Sequence, residues 1–132
     1  MKEEIKKLEI ILRAEDLQDY VFRVTSKEPK QPKDGSKPDP EKNYGLPAKY
    51  RYSIGTRMQN HSLDLLDALE DARYDKSHRV EHLNRVLSIL RKIESLIWLC
   101  FRNNILAKNT AEHGVSLLLN VKHMALAWRT KS

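Results

Sequence analysis

Apolar residues along this chain recur at steps of three and four, the period of a helix with one buried face. Ile10, Leu17, Val21 and Val24 are spaced by seven, four and three, with Leu8, Leu12 and Tyr20 beside them, which predicts a first helix over about 2–26. Ile54, Met58, His61, Leu65, Ala68 and Ala72 alternate steps of four and three, with Leu66 and Leu69 widening the stripe, and predict a second helix over about 49–74. A third, over about 77–103 and capped by Asp75 or Ser77, carries one stripe of Val80, Leu83, Leu87, Leu90, Ile97 and Phe101 and a second of Val86, Ile93 and Cys100. Apolar character this broad requires more than one neighbour, in the same chain or in a second subunit. After a turn at Asn103-Asn104, the run Asn109-Thr110-Ala111-Glu112 has the form of a capping box. It opens a fourth helix over about 110–129 that carries Val115, Leu118, Leu119, Val121, Met124, Ala125 and Trp128. No period-2 stretch flanked by hairpin turns occurs, so no sheet is expected.

All five prolines, Pro29, Pro32, Pro38, Pro40 and Pro47, fall between residues 27 and 47, together with Gly35 and Gly45. This marks one long linker, 27–48, in an otherwise helical chain. The other two connections are short and force antiparallel neighbours. The expected architecture is therefore all-α: an antiparallel up-down four-helix bundle forming one domain over 1–132.

At 132 residues the chain is long enough to bury a core without disulfides or metals. Its single cysteine, Cys100, excludes an intramolecular disulfide and lies in the apolar run Leu96–Phe101, which predicts a buried, inert thiol. No apolar run is long enough to span a bilayer. The first residues, Met1-Lys2-Glu3-Glu4-Ile5-Lys6-Lys7, do not resemble a signal peptide, so the expectation is a cytoplasmic protein without a membrane partner.

The net charge is +6 and unevenly placed. Residues 1–76 hold fifteen Lys/Arg and fifteen Asp/Glu. From residue 77 onward Arg79, Arg85, Arg91, Lys92, Arg102, Lys108, Lys122, Arg129 and Lys131 stand against only Glu81, Glu94 and Glu112, so the whole excess lies there. Such asymmetry points to a polyanion or an acidic protein surface, with a merely solubilising charge as the plain alternative. Arg85 and Lys92 differ by seven residues, as do Lys122 and Arg129, and a seven-residue step returns to nearly the same helix face. Stripes of this kind can follow a phosphate backbone, and the planar fork of Arg suits phosphate. Trp98 and Phe101 sit in an apolar run and read as core rather than as base-stacking platforms. Any nucleic-acid binding should therefore be backbone-directed and salt-sensitive.

Catalytic patterns are weak. His78 and His82 lie four apart and could offer two imidazoles on one face, but no third ligand is evident, so neither a metal nor a cofactor is expected. Asp64, Asp67, Glu70 and Asp71 form an acidic run that reads as a solvated helix face. The glycines are isolated and form no phosphate-cradling loop. The reading is of a protein that binds rather than catalyses.

The segment Lys49-Tyr50-Arg51-Tyr52-Ser53-Ile54-Gly55-Thr56-Arg57-Met58-Gln59-Asn60, followed by Ser62-Leu63-Asp64-Leu65-Leu66-Asp67-Ala68-Leu69-Glu70-Asp71-Ala72-Arg73-Tyr74, resembles the accessory variability determinant family of diversity-generating retroelements. That family's second helix opens with an aromatic and basic segment and a Gly-x-Arg, here Gly55-Thr56-Arg57, and runs on in Leu and Ala. Leu90-Arg91 with the apolar stretch beyond, and Trp128 followed by basic residues, add to the likeness. It covers roughly residues 44–132, plus the first helix by position. The pattern is shared with four-helix proteins encoded by intervening sequences in large-subunit ribosomal RNA genes. Ala125-Leu126-Ala127 stands where the family often has Gly-Gly or Gly-Ser before the final Trp, and the linker is longer than the family's. The resemblance implies a four-helix protomer, a basic five-membered ring, and binding to a reverse transcriptase and to template RNA or cDNA. Gly55 and Arg57 are expected to serve structure, the glycine by close helix approach and the arginine by pairing with an acidic group. The competing reading is an interaction module of the ribosomal intervening-sequence type, without a reverse-transcriptase partner.

Overall fold

The computed structural model describes the backbone of residues 2–26 and 45–132, and side chains from Glu9 onward. Every regular element among them is helical. Helix α1 spans Lys2–Ser26, a short α2 spans Ala48–Tyr50, and a π-helical turn spans Arg51–Gly55. Helix α3 spans Thr56–Tyr74, a 3-10 turn spans Lys76–His78, α4 spans Arg79–Arg102 and α5 spans Lys108–Thr130. Four long helices thus stand where the periodicity predicts them. Most of the expected linker, residues 27–44, lies outside the described residues.

Helix α1 packs against α3 and α5, and α4 packs against the same two, so the helices close around one core in the order α1, α3, α4, α5. Ile10, Leu17, Tyr20 and Val21 from α1 meet Met58, Leu65 and Leu69 from α3, Leu83, Leu90, Ile93 and Ile97 from α4, and Leu118 from α5. Each fully buried aliphatic side chain contributes about 1.5–3 kcal/mol. The two expected stripes of the third helix are not equal. Val86, Ile93 and Cys100 are all buried, whereas Val80, at the head of the longer stripe, is 40% exposed. The breadth of that apolar surface is used within the chain, because α4 faces two helices. Leu12, expected beside the buried stripe of the first helix, is instead half exposed.

The ends of neighbouring helices are tied in pairs. Thr25, near the end of α1, is buried and accepts a hydrogen bond from Gln59 Nε2 of α3 at 2.8 Å, while its Oγ1 donates to the Val21 carbonyl at 2.6 Å. The π turn sets Gly55 against Thr25, where an added Cβ would lie 3.4 Å from the Thr25 Cβ. That is the close approach expected of this glycine, though with space just sufficient for a methyl. Leu46, from the end of the linker, is fully buried, and its N–H donates to the Val24 carbonyl at 2.7 Å.

A tighter approach lies at Gly114 of α5. A Cβ there would come within 2.5 Å of three atoms at the hydroxyl end of the Tyr20 ring. Tyr20 is not free to yield: it is buried, its hydroxyl donates to the Thr110 carbonyl at 2.7 Å, and its ring meets His113 edge-on. Burial pushes the Tyr20 hydroxyl well above the ordinary tyrosine range, so it stays a donor.

The turn between α4 and α5 ends on Asn104, the only non-glycine residue with positive φ (57°) among those described, a conformation Asn tolerates better than most residues. The Ile105 N–H returns to the Cys100 carbonyl at 2.7 Å, closing the end of α4. Leu106, packed into the core, continues that connection, and Ala107 in extended conformation becomes the residue before α5. The expected capping box therefore does not form as read. Asn109 lies inside the first turn, where its Oδ1 accepts from the Thr110 N–H at 2.9 Å.

Candidate nucleic-acid interface

The seam between α3 and α4 carries most of the charge chemistry. At one end, Arg79 is almost wholly buried, although it was expected on the basic surface. Its Nε donates to the Ala72 carbonyl at 2.8 Å and its Nη2 to the Arg73 carbonyl at 3.3 Å. It thus caps the electronegative C-terminus of α3. Its guanidinium also lies 5.2 Å from the centre of the Trp128 ring, a cation–π contact that joins α3, α4 and α5. Arg79 is structural, and Trp128, part of the apolar spacing of the fourth helix, is buried against it.

Asp75 organises the same corner without acting as a side-chain helix cap. His82 Nε2 lies 2.9 Å from its carboxylate, Ser77 Oγ donates at 3.0 Å, and His78 Nδ1 lies at 3.2 Å. The His82 bond foremost, then those of Ser77 and His78, holds this carboxyl well below the usual range. The two histidines meet a shared carboxylate rather than converging on a vacant point. Among the described residues no group of three His, Cys, Asp or Glu could hold a metal ion. About one turn along, Arg85 stands 3.9 Å from Asp71, both half exposed.

The other end of the seam is different. Arg57 and His61, four apart on α3, face Arg91, Lys92 and Ser95 of α4 across an open groove of about 490 Å³ floored by Leu96. Arg57, Arg91 and Lys92 are exposed and His61 half-buried. Among the described residues no carboxylate forms an ion pair with Arg57, Arg91 or Lys92. The acidic partner expected for Arg57 is absent from this set, and the arginine stands instead among like charges. Burial, then Lys92, with a lesser push from Arg57, lowers the His61 pKa against the opposing pull of Asp64. Burial leads that shift, and the cationic neighbours on both walls of the groove add to it.

The remaining candidate cations are scattered. Arg102 and Lys131 are exposed near helix ends, and Lys108 lies 3.9 Å from Glu112 on the same helix. Arg129 donates to Asn84 Oδ1 at 2.9 Å across the α4/α5 seam, and Lys122 is half-buried on α5. Of the nine predicted phosphate ligands, the structure gathers only Arg91 and Lys92 into one groove. It adds Arg57, read as structural, and His61, read as part of an apolar stripe. A polar residue inside that stripe, one turn beyond an arginine, was the available signal.

Across the molecule's α4/α5 face, a shallow depression of about 370 Å³ is lined by Trp98, Val115, Leu119 and His123 among others. Trp98 and Phe101 pack edge-to-face at 5.9 Å, both only partly buried. Cys100 is buried, and its thiol is pushed up to about 11 by burial, which leaves it protonated and unreactive at neutral pH. No helix among the described residues is long and apolar enough to cross a membrane. No protein-family model, curated protein or solved structure matches the chain. The likeness to retroelement accessory proteins rests on the residues quoted for it.

Proposed function

We propose that this protein is a non-catalytic accessory subunit of a diversity-generating retroelement. It binds template RNA or cDNA through phosphate groups and associates with the reverse transcriptase to support mutagenic cDNA synthesis. The observation that carries the reading is the groove of Arg57, His61, Arg91 and Lys92, whose cations have no acidic partner among the described residues. Cations left uncompensated in a groove between two rigid helices can receive successive phosphates, and Arg adds bidentate geometry. Base-reading groups are sparse around it, which fits a backbone binder.

In this reading the four helices run up and down. The paired ends support that order: Thr25 with Gln59, Asp71 with Arg85, and Asn84 with Arg129. The protomer works in the cytoplasm as part of a ring, a homopentamer by the family likeness. Five copies of +6 would bring about +30, a field that attracts polyanions over long range. Light scattering on the purified protein, with and without a structured RNA at two salt concentrations, tests it. A pentamer whose RNA binding falls steeply with salt is the expected result, and a monomer or dimer indifferent to RNA would refute it.

The depression beside Trp98 favours a second reading, a protein-interaction module of the ribosomal intervening-sequence type. A half-exposed tryptophan in an apolar hollow is the kind of anchor point a protein partner fills. A gene neighbourhood lacking a reverse transcriptase and template repeat would move the balance to it.

A further inference from the structure

We propose that the α3/α4 groove is a proton-coupled phosphate site. In it, His61 takes up a proton and donates to a phosphate of a polynucleotide strand held by Arg57, Arg91 and Lys92. The proposal rests on the nucleic-acid reading above and adds to it a site and a pH response. The geometry comes first. His61 shares a wall with Arg57, one helical turn apart, and faces Arg91, Lys92 and Ser95 across a groove open to solvent. A phosphate entering there meets guanidinium, ammonium and imidazole donors together. Among the described residues no carboxylate lines the groove.

In the groove the imidazole is disfavoured as a cation by burial and by Lys92 and Arg57. Among the described residues Asp64, on the same helix, is the acidic group that acts on it, and no described charged side chain of α1, from Glu9 onward, does so. A bound phosphate reverses the balance: its negative charge offsets Lys92 and Arg57, and its oxygens accept from the imidazolium. Binding therefore draws in a proton, and by linkage affinity rises as pH falls, by at most about tenfold per pH unit for one proton. The other four histidines lie outside this groove. His78 and His82 are held by Asp75, His113 meets Tyr20, and His123 lines the opposite depression.

The test follows the His61 imidazole signal by NMR through a pH titration of the full chain, alone, with tripolyphosphate and with a short single-stranded oligonucleotide. Oligonucleotide affinity is read in parallel from pH 8 to pH 5.5 at constant ionic strength, for the wild type and His61→Gln. The expected result is an upward shift of the His61 titration with either ligand. Wild-type affinity should rise severalfold on acidification, and the rise should be mostly lost in His61→Gln. Oligonucleotide binding that leaves the His61 titration unmoved overturns the proposal while the nucleic-acid reading stands. A shift with tripolyphosphate but no oligonucleotide binding overturns the polynucleotide ligand of the proposal together with the nucleic-acid reading. No response to either ligand removes both.

Discussion

The two ends of the α3/α4 seam hold similar residues to different effect. At the Arg79 end the cations and histidines have internal partners: Arg79 has two carbonyls and the Trp128 face, Arg85 has Asp71, and His78 and His82 have Asp75. At the Arg57 end, Arg57, Arg91 and Lys92 face one another with no ion pair to a described carboxylate, and the nearby histidine is driven toward neutrality. The first end spends its charge on holding helices together. The second keeps like charges side by side, which is unfavourable unless an anion joins them. Counting cations along the chain cannot separate these cases, because the separation depends on which helix lies opposite.

Substitutions at each end should break the contrast in different ways. The largest effect belongs to Arg79→Ala. It strips charge-assisted bonds from one buried and one partly buried carbonyl and a cation from Trp128, and should cost about 2–3 kcal/mol of stability in chemical denaturation. The oligonucleotide affinity of the remaining folded protein should be unchanged. Next comes the double change Arg91→Gln with Lys92→Gln, which should weaken oligonucleotide binding roughly tenfold or more at moderate salt. Thermal melting should show no loss of stability, since like charges are being removed. A large drop in melting temperature would mean that these cations have structural partners after all. Arg85→Gln should change stability by less than about 0.5 kcal/mol, because its pairing with Asp71 is exposed.

The smallest effect is expected from Asp75→Asn, and its pH dependence is the informative part. The native carboxyl is held below its ordinary value of 3.8, so its stabilising contribution is complete above that value. The contribution fades as pH falls through the ordinary value toward the depressed one. Melting temperatures of wild type and variant should differ at pH 5–7 and converge toward pH 2. A gap that persists in acid would show that the Asp75 carboxylate is not what ties His78 and His82.

Much of the fold was legible in the chain because helical burial leaves a period. Leu65, Ala68 and Ala72, or Val86, Ile93 and Cys100, are buried where their spacing put them. The Asn103-Asn104 turn was legible through the backbone tolerance of asparagine. What failed depended on contacts distant in sequence. Asn109 has the composition of a cap, but the burial of Leu106 and the return of Ile105 to Cys100 fix the start of α5 earlier. Gly114 shows in sequence only as an unfavourable residue in a helix, and its reason is the Tyr20 ring more than ninety residues earlier. Of the candidate site, Arg91 and Lys92 were legible among the nine cations of the C-terminal part. Arg79 was misassigned because its proximity to the C-terminus of α3 arises only when the corner folds.

The most direct test of the central claim is the salt dependence of oligonucleotide binding for the wild type and for a triple variant, Arg57→Gln, Arg91→Gln and Lys92→Gln. If these three cations hold phosphates, the slope of log affinity against log salt should flatten by about 2, at roughly 0.7 per phosphate contact on a single strand. A variant that binds with an unchanged slope would contradict the account and place nucleic-acid binding, if any, elsewhere on the bundle.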